Sequence, residues 1–303
     1  MFVTSQFCTT CHRTYAQHHE FCPLDGTILK DMPTELPDVA TVINGRYMIL
    51  APVNAGGMGT IYRCQDIGLH REIALKVLRP DLAARENAVR RFFIEARAAS
   101  ALDHPGIVRL HDFGVSQEGF LFLAMEYLPG LTLADLLRAR RRLSVGEALL
   151  IAQETAAALA HAHQRGIVHR DLKPENVFLV VDRESGNLIK ILDFGVASVF
   201  EAGACGGLHT GTVLGTPEYM SPEQVRGDVV DGRSDLYSLG LLLFEMLAGS
   251  PPFVGDSPGE VMRMHLSQAP RSLPALSVPP GIRQGLDRLL MSLLAKIPDQ
   301  RPA

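Results

Sequence analysis

The chain has 303 residues, 33 acidic against 29 basic for a formal charge of −4, with 47% hydrophobic and 20% charged residues. This is ordinary globular composition, long enough for one large or two small domains, and no basic block of the kind that nucleic-acid binders carry is present. Five cysteines are too few and too unevenly placed for a disulfide framework: Cys8, Cys11 and Cys22 crowd the start, while Cys64 and Cys205 stand alone. A reducing compartment fits, the first residues lack the order of a signal peptide, and the longest apolar run, 236–248, is interrupted by Glu245. The expectation is a cytoplasmic chain with no membrane segment and no nucleic-acid partner.

Residues 1–30 are rich in Cys, His and turn formers, and 31–45, with Pro33 and Pro37 and little periodicity, read as a linker. From 47 to 130, short β-like runs at 47–50, 60–64, 73–78 and 120–125 alternate with one helical segment around 86–102, which predicts a small antiparallel sheet carrying a single helix. Beyond 130 the pattern is mainly helical. One helix opens at Ser144, with Glu147 completing a capping box, and repeats Leu149, Ala152, Ala156, Leu159 and His163 on one face before Gly166. Another runs from Asp235 through Leu239, Leu243 and Leu247 to Gly249.

Four stretches carry chemistry. Between two β-like runs lies Asn54-Ala55-Gly56-Gly57-Met58-Gly59-Thr60-Ile61, whose glycines let backbone N–H groups approach phosphate oxygens; a plain tight turn is the equal alternative. Lys76 ends the apolar run Ile73-Ala74-Leu75, where a solvated edge charge is the ordinary reading, but Glu95, nineteen residues on in an amphipathic helix, offers it an ion-pair partner. The densest stretch is Val168-His169-Arg170-Asp171-Leu172-Lys173-Pro174-Glu175-Asn176, followed by Ile191-Leu192-Asp193-Phe194-Gly195. So many polar functional residues between apolar runs are hard to explain as a surface loop. A second Asp-Phe-Gly at Asp112 is set aside by its position, and Asp112 reads as a turn residue between two strands.

On these motifs, residues 47–303 resemble a protein kinase catalytic domain of the eukaryotic-like serine/threonine type found in bacteria. The resemblance implies an α+β, two-lobed kinase fold over 46–303: a small β-rich N-lobe with one main helix (46–128) and a larger, mostly helical C-lobe (129–303). The family normally adds one more helix after Arg301, so the last helix is expected to be missing. Lys76, held by Glu95, would contact the α and β phosphates of ATP. Asp193 and Asn176 would hold Mg²⁺, with Mn²⁺ as the substitute, because hard oxygen ligands suit such ions. Asp171 would accept the substrate hydroxyl's proton, and Lys173 would reach the γ-phosphate, which favours Ser and Thr of protein substrates as acceptors.

The loop Asn54 to Gly59, with Asn54 replacing the usual first glycine, would cover the phosphates. Ile61, Ala74 and Leu179 would wall the adenine site, Met125 would be the gatekeeper, and the backbone of Glu126 and Leu128 the hinge. Thr216 would bond Asp171 and Lys173, Glu223 would pair with Arg301, and Asp235 would accept backbone hydrogen bonds from the catalytic loop. Arg170 beside the catalytic Asp171 points to activation by phosphorylation of Thr210 and Thr212, through a transient homodimer acting in trans. The rival reading is a pseudokinase or scaffold, disfavoured by the presence of Lys76, Glu95, Asp171, Asn176 and Asp193 together.

Cys8-x-x-Cys11 and Cys22-Pro23-Leu24-Asp25 form two turn-like half sites that resemble the zinc-ribbon fragments preceding some bacterial kinases. They imply one structural Zn²⁺ on Cys8, Cys11, Cys22 and a fourth ligand. Asp25 stands where a cysteine is expected, and His12, His18 and His19 are alternatives. A disordered reduced tail is the competing reading.

Overall fold

The computed structural model describes residues 6–302 apart from 12, 16–18, 57–58, 84–85, 181–188 and 195–215, and apart from the side chains of 83, 86–88, 90–91 and 95. Gly57, Met58, Gly195, Thr210, Thr212, His12, His18 and the Glu95 side chain therefore lie outside the described residues. The chain divides into two compact units, 1–103 with 108–128, and 104–107 with 129–303.

The first unit begins with a three-stranded sheet of two-residue strands, β1 (Gln6–Phe7), β2 (Thr14–Tyr15) and β3 (Lys30–Asp31), in the order β2-β1-β3. A six-stranded antiparallel sheet follows: β4 (Val42–Ile43), β5 (Tyr47–Gly56), β6 (Gly59–Asp66), β7 (Arg71–Leu78), then, after the short helix α1 (Pro80–Ala83) and the main helix α2 (Glu86–Ser100), β8 (Leu110–Val115) and β9 (Leu121–Glu126). Their order is β4-β5-β6-β7-β9-β8. Alternation sorts this sheet's side chains. Tyr62, Cys64, Ile73, Leu75, Val77, Phe122 and Ala124 meet in one core, while Ile61, Ala74, Lys76, Leu123 and Met125 occupy the opposite face through the registers Ile61↔Lys76, Lys76↔Leu123 and Ala74↔Met125.

The core face is covered by the segment read as a linker. Leu36 packs against that core, Ile43 is buried within it, and Val42–Ile43 pairs with β5, so 31–45 is a fitted strap over the sheet. It is anchored at the β8–β9 turn, where Gly119 has φ +89° and a Cβ would sit 2.5 Å from the Asp31 carbonyl oxygen. The sequence signal was weak because the strap is too short to show periodicity. Asp112 also departs from expectation: it lies within β8, where its carboxylate accepts a 2.8 Å hydrogen bond from the Tyr47 hydroxyl. A partner 65 residues away compensates a residue type that strands otherwise avoid.

The second unit carries a small antiparallel sheet of β10 (Gly130–Thr132), β11 (Val177–Val180) and β12 (Ile189–Ile191). Its helices are α3 (Leu133–Arg140), α4 (Val145–His163), α5 (Pro222–Arg226), α6 (Gly232–Ala248), α7 (Pro258–Ser267) and α8 (Pro280–Leu293). The capping box at Ser144 forms as expected, with Ser144 and Glu147 bonded reciprocally. The buried face of α4, however, is Ala148, Ile151, Ala152, Thr155, Ala158, Leu159 and Ala162. It is rotated from the expected face because alanines give little hydrophobic contrast and α4 packs on both α6 and β12. Helix α6 opens three residues before Asp235, capped by the Asp231 side chain on the Arg233 N–H, and ends at Gly249 with φ +82°. Among the described residues no helix is long and apolar enough to cross a membrane.

Candidate active site and metal centre

Proline organises the dense polar loop. Lys173 is extended, as the residue before Pro174 must be, and Pro174–Asn176 form one tight helical turn that brings Asn176 back toward Asp171. Asn176 Nδ2 donates to the Asp171 carbonyl at 2.7 Å and to its carboxylate at 3.1 Å. Lys173 Nζ donates to both Asp171 carboxylate oxygens, at 3.0 and 2.7 Å. Asp171, Lys173 and Asn176 thus form one hydrogen-bonded cluster.

A buried carboxylate holds the loop from beneath. Asp235 Oδ2 accepts the His169 backbone N–H at 2.8 Å and lies 2.7 Å from His163 Nε2, and its Oδ1 accepts the Arg170 N–H at 2.9 Å. Arg170 is pinned at φ +67°, a costly conformation for a residue with a Cβ, by that bond and by Gln224 Nε2 donating to its carbonyl at 2.6 Å. His169 joins this loop to Asp193. Its Nδ1 accepts the Asp171 N–H at 3.2 Å, so the ring proton sits on Nε2, which donates to the Leu192 carbonyl at 2.8 Å. The ring also meets Phe194 edge-on at 4.8 Å. Asp193 follows at φ +55°. No role for His163, His169 or Gln224 was legible in the sequence; for His169, burial between two polar motifs was the available signal.

Thr216 lines a small cavity with Arg170, Asp171, Leu172, Tyr219, Met220 and Gln224. The bonds expected from Thr216 to Asp171 and Lys173 are absent among the described residues; direct contact of Lys173 with Asp171 takes their place. The pair Glu223–Arg301 forms as expected: Arg301 Nη1 and Nη2 reach the two carboxylate oxygens at 2.6 and 2.8 Å. Burial pushes the Glu223 carboxyl upward, but the hydrogen bonds from Arg301 and Ser234 prevail and hold it below its ordinary range.

In the first unit, Asn54 pairs with Ile61, Ala55 with Thr60 and Gly56 with Gly59 across the β5–β6 hairpin. Gly59 is required there, since a Cβ would lie 2.2 Å from the Val77 carbonyl oxygen. Lys76 is buried on the same sheet face as Ile61, Ala74 and Met125. Glu126 follows Met125 at the end of β9, its backbone N–H bonded to the Arg109 carbonyl at 3.0 Å, and Leu128 ends the unit. Leu179 belongs to the second unit, on β11 opposite Leu131.

The residues fit a divalent cation. Asn176 spends its amide NH₂ on Asp171, so its side-chain oxygen is the atom that would serve as a hard ligand, and the Asp193 carboxylate would be a second donor of the same kind.

The amino-terminal sheet gathers a different donor set. One ligand atom from each of Cys8, Cys11, Cys22 and Asp25 lies within 4.8 Å of every other. Cys11 Sγ and Cys22 Sγ are 3.6 Å apart, and Cys8 Sγ is 3.3 Å from Asp25 Oδ2. Both distances lie about 0.2 Å inside the sulfur–sulfur and sulfur–oxygen edges, about 3.8 and 3.5 Å, of a tetrahedron with zinc–sulfur and zinc–oxygen bonds. They are far beyond the S–S bond of a disulfide, about 2.05 Å. The Tyr15 hydroxyl lies 3.1 Å from Cys22 Sγ. Burial opposes ionisation of Cys22, but the Tyr15 hydroxyl and the backbone N–H groups of Leu24 and Asp25 lower its thiol. Hydrogen bonds from Thr27 hold the Asp25 carboxyl well below the usual range. Three sulfurs and a carboxylate in this space fit a soft-to-borderline cation. Asp25 is the fourth member of this cluster among the described residues, and His19 packs its ring against Tyr15 at 5.9 Å.

A family model described as protein kinase domain matches residues 47–303. The chain is similar to serine/threonine-protein kinase pkn3 of Myxococcus xanthus, 39% identical over 88% of this chain and 49% of that one. It is similar to serine/threonine-protein kinase PrkC of Bacillus subtilis, 40% identical over 86% of this chain and 39% of that one. It therefore spans half or less of the length of these curated relatives. Among solved structures, the crystal structure of the Mycobacterium tuberculosis PknI kinase domain superposes with a TM-score of 0.68 at 32% identity, covering 89% of this chain and 95% of that one.

Proposed function

Because the chain belongs to the protein kinase domain family, we propose that it is a cytoplasmic serine/threonine protein kinase that transfers the γ-phosphate of ATP to protein hydroxyls, as part of bacterial signalling. The observation that carries the reading is the cluster of Asp171, Lys173 and Asn176, hydrogen-bonded within 3.1 Å and mounted on buried Asp235. Mg²⁺, when bound by Asp193 and the Asn176 carbonyl oxygen, supplies positive charge to the phosphate oxygens. Asp171 orients the acceptor hydroxyl and takes its proton. Lys173, already on the Asp171 carboxylate, stands where its cation stabilises charge spreading over the transferred group. Lys76, paired with Glu95, holds the α and β phosphates. Asn54 through Gly59 cover them with backbone N–H groups, and Ile61, Ala74, Leu179, Met125, Glu126 and Leu128 enclose the adenine.

The test is incubation with Mg-ATP and a generic acceptor, beside Asp171→Asn. Removing a positioned base is expected to cost about 10²–10⁴-fold in rate, and equal incorporation by both proteins refutes the reading. Activation is assigned to autophosphorylation of Thr210 and Thr212 in trans, and mass spectrometry of active enzyme with neither threonine modified would end that part.

The amino-terminal element is assigned one structural Zn²⁺ on Cys8, Cys11, Cys22 and Asp25. Metal analysis of purified protein is expected to give one zinc per chain, lost in Cys8→Ser; no zinc in the wild-type protein ends the assignment.

A further inference from the structure

Within the first unit, the amino-terminal sheet meets the main helix through an aromatic stack. Phe7, adjacent to Cys8, is fully buried and stacks on Phe93 of α2, with ring centres 6.3 Å apart and planes within 10°. Phe93 meets Phe92 edge-on at 5.4 Å and tilts against Phe113 of β8 at 6.2 Å. A run of rings therefore leads from the cysteine cluster into the contact between α2 and the large sheet.

What fixes Phe7 is a small element with almost no hydrocarbon core. Strand β1 pairs over two residues with each neighbour. Gln6 braces it, its Nε2 donating to Asp31 Oδ1 at 2.9 Å and its Oε1 accepting the His19 N–H at 2.8 Å. The element's own buried cluster is Cys8, Cys22 and Leu29, with Cys11 and Tyr15 at its margin. Three of those five are the metal donors. A segment of this size cannot hold its shape on so little apolar burial, so ligand order depends on the cation. The setting of Phe7, one peptide from Cys8, depends on it too. On the other side, α2 carries Glu95 two residues after Phe93 and less than one turn along the helix.

We propose that Phe7 is a positioning residue for phosphoryl transfer: the Zn²⁺-loaded amino-terminal element braces α2 through the Phe7–Phe93 stack, so that loss of the cation or of the ring displaces the helix that carries Glu95, the residue expected to partner Lys76. The proposal rests on the kinase reading above. It concerns the helix position only, since Val89, Phe92 and Ala96 are buried as well and keep α2 attached to its sheet.

The experiment uses the full chain as wild type, Phe7→Ala, Phe7→Leu and Cys8→Ser, and wild type stripped with a zinc chelator and then resupplied with Zn²⁺. Each sample is read for zinc content, for hydrogen exchange over residues 86–100 without ATP, and for kcat and KM for ATP. Phe7→Ala is expected to keep its zinc, to exchange faster over 86–100 and to lose about fivefold or more in kcat/KM, the lower end of ordinary site-to-site coupling. Phe7→Leu recovers part of both effects. Zinc removal reproduces them in wild type, and added Zn²⁺ reverses them. If Phe7→Ala fails to fold, the chelated and resupplied wild type carries the same comparison. Unchanged exchange over 86–100 on zinc removal, or in zinc-loaded Phe7→Ala, overturns the brace whether or not the chain is active. An inactive wild type sinks the kinase reading through the activity arm alone.

Discussion

The buried pair Glu223–Arg301 is the sharpest energetic test of the second unit. The two side chains are 5% and 0% exposed. Arg301 also donates from Nε to the Ala295 carbonyl at 2.9 Å and from Nη1 to the Arg233 carbonyl at 2.8 Å, while Glu223 accepts from Ser234 Oγ at 2.5 Å. Arg301→Ala strands a carboxylate with one hydroxyl partner. Breaking such a pair costs about 3–5 kcal/mol, and two lost charge-assisted bonds at about 1.5–3 kcal/mol each give the same range. For a unit of this size that lowers the melting temperature by about 6–20 °C, at about 2–4 °C per kcal/mol. Glu223→Gln combined with Arg301→Ala removes both charges, so its cost should fall short of the costs of Glu223→Gln and Arg301→Ala combined by about 2 kcal/mol or more. The carboxyl of Glu223 is held below its ordinary value of 4.5, so the pair's stabilisation is complete above that pH and fades as pH falls through the lower folded value. Arg301→Ala should flatten that acid limb. Calorimetric unfolding of the four proteins across pH decides it. A single-variant loss under about 1 kcal/mol, or additivity within about 0.5 kcal/mol, refutes the reasoning.

Asp235→Ala should cost about 3 kcal/mol by orphaning the His169 and Arg170 N–H groups, and thermal unfolding measures it; a loss within about 0.5 kcal/mol would show the loop is held otherwise. His265 is pushed down to about 4, first by burial and then by the Lys296 charge, against an ordinary 6.5. Since the folded state resists its protonation, stability should be full above pH 6.5 and fall as pH approaches 4, by up to about 3 kcal/mol; chemical denaturation from pH 7 to 4 checks the slope, which His265→Leu should reduce. Burial pushes the Cys64 thiol up to about 12, so iodoacetamide at neutral pH should spare it in native protein, and its modification, read by mass spectrometry, would contradict the packing.

The large sheet and the catalytic loop were legible because their signals are local. Alternation placed β6, β7 and β9 within about two residues and the start of β5, while β8 was not read as a strand, and Pro174 with the polar residues around it marked one loop. What escaped depends on distant partners. Asp112 looked like a turn residue because Tyr47, which satisfies it, is far away in sequence. The strap over 31–45 looked like a spacer because Leu36, Val42 and Ile43 gain their meaning from a sheet face formed later in the chain. The start of α6 was placed late because Asp235 reads as a helix cap, whereas its carboxylate serves the catalytic loop and Asp231 does the capping. For the fourth ligand position the sequence left Asp25 and three histidines open; the turn at Asp25, closed by the Thr27 N–H at 3.0 Å, sets its carboxylate beside Cys8.

The polar residues of the second unit divide by burial into two kinds. Asp235 and His169 are fully buried, and their bonds run to backbone groups of the loop or to His163, so they set where the loop lies. Asp171 and Lys173 keep 16% and 20% of their side-chain surface and bond each other. Desolvation makes a buried charge costly to leave unpaired, whereas a partly hydrated pair can exchange partners when phosphate or a hydroxyl arrives. The division follows from that physics. On the proposed reading, charges that part during turnover stay near water, and the carboxylate that holds the loop lies beneath them. On that same reading, a near-neutral chain runs phosphate chemistry with a few individually placed cations, held by buried polar groups, in place of a basic surface.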